Sequence, residues 1–81
     1  MSSLGRIFRT KYAEAQQTRM DQLLGQHLRV SNGSQLPDAH PAPRGWRATD
    51  LGIAVETELG VPMSADRAAS LKTVGDWRRL V

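Results

Sequence analysis

Apolar residues recur along this chain at three- and four-residue intervals, the spacing that lays one stripe along a helix, and nowhere alternate as in a strand. The first stretch, from about Leu4 to Leu28, contains no proline and is rich in Gln, Ala, Arg and Leu, which suits a helix. In its second half Met20, Leu23, Leu24 and Leu28 form the stripe, with Arg19, Asp21, Gln22 and Gln26 largely opposite. Gly25 interrupts good helix formers and weakens the helix by roughly 1 kcal/mol relative to alanine, which asks for a packing reason. Residues 31–44 hold an Asn-Gly step and three prolines, so they read as a loop. Leu36 is its one large apolar residue and is expected to tuck beneath it as a plug. A loop of this length is either functional or mobile.

A second helix is expected from about Gly45 to Leu59, with Leu51, Val55 and Leu59 every fourth residue and Ile53 and Ala54 beside them. Gly60 supplies a left-handed stop. Gly52 inside this helix leaves space or permits close backbone approach. Ser64 is a good N-cap for a short third helix, 65–71. Thr73 caps a fourth, with Asp76 placed to complete a capping box and to favour the helix dipole. Val74, Trp77 and Leu80 or Val81 line one face of that last helix, leaving Arg78 and Arg79 to solvent. The fold class is therefore all-α, a small bundle of four helices, the third short and the first extended.

With 81 residues the chain has room for one small domain. It contains no cysteine, hence no disulfide framework and no thiolate chemistry. No apolar run approaches the ~20 residues of a membrane span, and Met1–Arg6 lacks a signal-peptide pattern; the expected location is cytoplasmic. The formal charge is +3, from eleven Lys and Arg against eight Asp and Glu. Spread along the chain, such charges more often make an ordinary solvated surface; otherwise the balance suits a partner set of its own or a partner with an acidic face. His27 and His40, with Asp38, make no metal set, which needs three or four converging ligands. Glu56 and Glu58 point to different sides of a helix and do not form a catalytic pair. No phosphate-binding glycine loop is present. No enzyme activity and no cofactor are expected.

From about residue 19 onward the chain resembles an acyl carrier protein. Arg19-Met-Asp-Gln-Leu-Leu-Gly-Gln-His-Leu-Arg-Val30 is similar to the end of that family's first helix. Glu56-Thr-Glu-Leu-Gly60 looks like the acidic end of its second, Val61–Leu71 like its third-helix segment, and Lys72-Thr-Val-Gly-Asp76 like the motif opening its fourth. The resemblance covers about four-fifths of the chain and implies a carrier-like bundle over 19–81, preceded by an extension over 1–18. It fails at one place. The Asp-Ser-Leu triplet that carries phosphopantetheine in the family is matched here by Arg44-Gly45-Trp46. Glycine has no side-chain oxygen on which a phosphodiester could form. The family's acidic residue just beyond the serine is Arg47, the loop is several residues shorter than the family norm, and the Phe-x-x-Asp-Leu-Gly approach is missing.

These departures imply a carrier-like protein that is not acylated at the usual site and acts by binding protein, as a regulator or sequestering agent. The start of helix two, with Arg44, Trp46 and Arg47, is the first candidate surface, since Trp and Arg are enriched at interface hot spots. Trp46 is either such an anchor or half-buried against the loop prolines. Ile7, Phe8 and Tyr12, with Leu4, form an apolar edge on the basic extension that either packs over the fourth helix or docks a partner; a membrane-surface role ranks below both. Two alternatives stay open: a true carrier modified at Ser34 or Thr49, and a small nucleic-acid-binding regulator using Arg6, Arg9, Lys11, Arg44 and Arg47. Nucleic acid ranks last because helices two and three lack a recognition surface rich in Arg, Asn and Gln.

Overall fold

Several helix boundaries have a local chemical cause. The computed structural model describes the backbone of residues 2–81 and the side chains of residues 11–81. Helix α1 (Ser2–Leu28) ends in a Schellman arrangement: the Val30 N–H donates to the Gly25 carbonyl at 2.9 Å while Arg29 adopts φ 59°, a left-handed position where glycine is usual. Helix α2 (Trp46–Leu59) stops at Gly60, whose φ is 69° and whose N–H donates to the Glu56 carbonyl. Helix α3 (Ala65–Ser70) is capped by the Ser64 hydroxyl, which accepts from the Arg67 N–H. It ends one residue before the expected Leu71, whose backbone is extended at ψ 110°.

Helix α4 (Val74–Arg78) opens with the expected capping box. The Asp76 carboxylate accepts from the Lys72 and Thr73 N–H groups at 3.0 and 3.1 Å, and the Thr73 hydroxyl accepts from the Asp76 N–H at 3.2 Å. The hydrogen bond from Arg79, followed by those two backbone donors, holds the Asp76 carboxyl below its ordinary value of 3.8. The unfolded chain therefore binds this proton more tightly than the folded one. The stabilisation is complete above the ordinary value and is lost as pH falls below it toward the depressed one. Asp76→Asn is expected to flatten the dependence of Tm on pH below about pH 4, as read by acid-titrated thermal melts. An unchanged slope would show that the cap does not titrate with folding.

The stripe of α1 (Met20, Leu23, Leu24) meets that of α2 (Leu51, Val55, Leu59), and Ala68, Val74 and Trp77 close the core from α3 and α4. Leu36 is buried beneath the loop as expected. Gly25 has its packing reason: a β-carbon there would lie 3.0 Å from the Gly33 nitrogen, so the loop backbone lies directly on the helix. The space beside Gly52 is filled by Met63 and Ala68 from the α3 segment.

Two expectations are corrected. Ile53 is 63% exposed, because Leu51 and Val55 already take the inward positions of α2 and Ile53 falls between them on the far side. Arg78 does not stand in solvent: its side chain is only 22% exposed. It donates to Asp21 at 2.9 Å, Asp38 at 2.7 Å and the Gly33 carbonyl at 3.0 Å, tying α4 to α1 and to the loop. Burial works against this cation, but the hydrogen bonds to Asp38 and Asp21 outweigh it and raise its pKa above the arginine norm. The loop, read as either functional or mobile, is held in place. A 3-10 turn at Gly33–Gln35, the Leu36 plug and backbone bonds from Ala42 to Lys72, Val74 to His40 and Gly75 to Asp38 fasten it at both ends.

Candidate functional site

With the loop fastened, Pro43 and Arg44 deliver the chain to the head of α2 through Gly45. Gly45 is the N-cap, yet it supplies no side-chain hydrogen bond, and its φ of 64° with ψ of −137° is close to a region populated essentially by glycine alone. A β-carbon there would meet nothing within 4 Å. Space is not what excludes a side chain at this position; the backbone conformation is. Gly45→Ser is accordingly expected to lower stability by about 1–3 kcal/mol, partly offset if the new hydroxyl caps the helix. Denaturant titration checks this. A serine variant as stable as the parent would show that the backbone relaxes freely to an ordinary N-cap.

The next residue is the most prominent apolar group on the described surface. Trp46 is 73% exposed, so of the two readings left open the exposed one is correct. The Arg47 guanidinium lies 5.5 Å from the Trp46 ring centroid, within cation–π range. Trp46 and Arg47 line two adjoining shallow grooves, one with Asp50 and one with Pro41, Pro43 and Arg44. Arg29, at the left-handed end of α1, lines both. The sequence reading missed Arg29; the Leu-Arg-Val close of the first helix contains no glycine at the stop, and that was the available signal. Seven residues on from Trp46, or two helical turns and about 10 Å along the axis, Ile53 continues the same outward face.

Charge is segregated along that face. Arg29, Arg44 and Arg47 have no carboxylate partner among the described residues, whereas Arg19 pairs with Glu58, Arg78 with Asp21 and Asp38, and Arg79 with Asp76. The His27 ring lies between α1 and α2, with its Nε2 3.5 Å from the Asp50 carboxylate and its Nδ1 2.9 Å from the Leu23 carbonyl. Glu56 accepts from the Met63 N–H, so Glu56 and Glu58 serve different elements, as expected.

The remaining candidates lie elsewhere. Tyr12 is exposed on α1, and Lys11 through Ala15 are exposed with it. Lys11 through Ala15 do not pack over α4; among the described side chains the first hydrogen bond from α1 to the bundle is that of Gln16, whose amide donates to the Leu59 carbonyl at 3.0 Å. The side chains of Ile7 and Phe8 lie outside the described residues. Ser34 is in the 3-10 turn with its hydroxyl donating to Asn32 at 2.6 Å, and Thr49 is half-buried on α2. Among the described residues no group of three His, Cys, Asp or Glu side chains is arranged to hold a metal, and no helix is long and apolar enough to cross a membrane. No protein-family model, curated protein or solved structure matches the chain.

Proposed function

We propose that this chain is a non-enzymatic, acyl-carrier-like protein that carries no phosphopantetheine at the usual position and works by protein binding. The observation that carries the reading is the pairing at the head of α2 of a glycine-only backbone at Gly45 with an exposed tryptophan beside it. Where the family presents a nucleophile, this chain offers an anchor. A large aromatic ring in water loses solvent contact on docking and gains the most from it, and the flanking arginines add directionality. Such a protein regulates or sequesters a partner, an enzyme or a transcription factor, without carrying a substrate.

Two measurements test the reading together. Intact mass is expected to stay unchanged after incubation with coenzyme A and a broad-specificity phosphopantetheinyl transferase. A gain of one phosphopantetheine would restore substrate carriage, with Ser34 and Thr49 the first hydroxyls to map. Trp46→Ala is expected to leave Tm within a few degrees of the parent, since an exposed residue away from special contacts contributes about 0.5 kcal/mol or less, and to reduce partner affinity at least about tenfold. A collapse of Tm with binding intact would sink the proposal.

A further inference from the structure

We infer that the groove bounded by Arg29, Arg44 and Arg47 receives an acidic, partly apolar segment of another protein. Its carboxylates would meet the three guanidinium groups and its apolar side chains would reach Trp46 and Ile53. The inference rests on the protein-binding reading above and specifies the partner's chemistry. Three observations carry it. These arginines alone have neither a carboxylate partner nor a backbone acceptor among the described side chains of the groove. An unpaired guanidinium is the group best matched to bidentate capture of a carboxylate.

Arg29, next, occupies a left-handed position at φ 59°, where any residue with a β-carbon is disfavoured. Glycine would end α1 better. An arginine held there against local preference points to a role for its side chain. The surroundings then select among anionic partners. Beyond Trp46 the outward face of α2 carries Asp50 and Glu56, so a long polyanion such as nucleic acid leaves the arginines and meets carboxylates within one to three turns. A short acidic segment ending in apolar residues matches the order of arginine, tryptophan, isoleucine along the face.

A second copy of this chain does not fit. Asp21, Asp38, Glu58 and Asp76 are engaged by arginines and Glu56 by the Met63 N–H. Glu14, Asp50 and Asp66 remain, each isolated in sequence from other acids, and none makes an acidic segment. The occupant is a different protein.

The test is selection from a random peptide library displayed on phage against the full chain, followed by affinity measurement with the synthesised consensus peptide. The expected consensus has excess Asp and Glu next to apolar residues. The double charge reversal Arg44→Glu with Arg47→Glu is expected to weaken that peptide about tenfold or more. Arg29→Gly is expected to weaken it several-fold while Tm stays equal to the parent's or rises, a combination that a merely structural arginine does not produce. A consensus that depends on Trp46 but lacks acidic residues would overturn this inference and leave protein docking intact. No enriched peptide, or a consensus indifferent to both Trp46→Ala and the charge reversal, would overturn both. Tighter binding of an oligothymidylate strand than of the peptide would overturn it in favour of nucleic acid.

Discussion

Trp77→Ala is expected to bring this domain to the edge of unfolding. Trp77 is fully buried, the largest such side chain, on a helix of only five residues. Removing a buried tryptophan typically costs about 3–5 kcal/mol, against a total of roughly 4–12 kcal/mol for a domain of this size. The loss would lower Tm by more than about 12 °C, and α4 is too short to hold its shape without that anchor. Among the described residues the indole Nε1 is buried without a hydrogen-bond partner, which costs about 1–3 kcal/mol. Trp77→Phe removes that orphan donor along with part of the ring, and is expected to be distinctly milder. Thermal melts of the two variants decide the matter. If Trp77→Ala melts within a few degrees of the parent, the core does not depend on α4.

Gly33→Ala is the second large effect, and its cause is not conformational freedom. A β-carbon at Gly33 would sit 1.8 Å from the Asp21 carbonyl oxygen and 2.9 Å from the Gly25 nitrogen. Both are backbone atoms of α1, so no side chain can rotate out of the way. The turn has to lift off the helix, which breaks the bond from Arg78 to the Gly33 carbonyl and draws the Leu36 plug with it. We expect a loss of about 3 kcal/mol or more, the upper range for overpacking, with faster amide exchange at Leu36 and Ala42 before global unfolding. Gly25→Ala, where the closest approach is 3.0 Å and alanine is the better helix former by about 1 kcal/mol, is expected to be far less damaging. Equal effects from the two would mean that the helix and the turn separate at little cost.

The parts of this fold that were legible in the sequence are those decided within a few residues. Thr73 and Asp76, Ser64, and Gly60 each act on backbone groups less than five positions away, and the apolar stripes of α1 and α2 follow from helical period. Arg78 was illegible for the opposite reason: its partners lie 40 to 57 positions away, and nothing local separates it from Arg79. Ile53 misled because an apolar letter next to a stripe counts as core in a pattern but not in a helix already facing inward at Leu51 and Val55. At the candidate site, Arg44, Trp46 and Arg47 stood out as a cluster, whereas Arg29 enters it only through the chain reversal between α1 and the loop. The glycine at position 45 was visible as a missing hydroxyl. That its backbone also refuses a side chain could be read only from its dihedral angles.

Trp46 and Trp77 are the two indoles of the chain, one in water and one sealed in the core, and this makes the protein its own pair of optical probes. The exposed ring emits to the red and is open to an aqueous quencher such as iodide; the buried ring emits to the blue and is shielded from it. A partner docking at Trp46 would change the first signal and leave the second untouched, while loss of the core would do the reverse. A single unlabelled sample therefore distinguishes binding from unfolding by the colour of the light that changes.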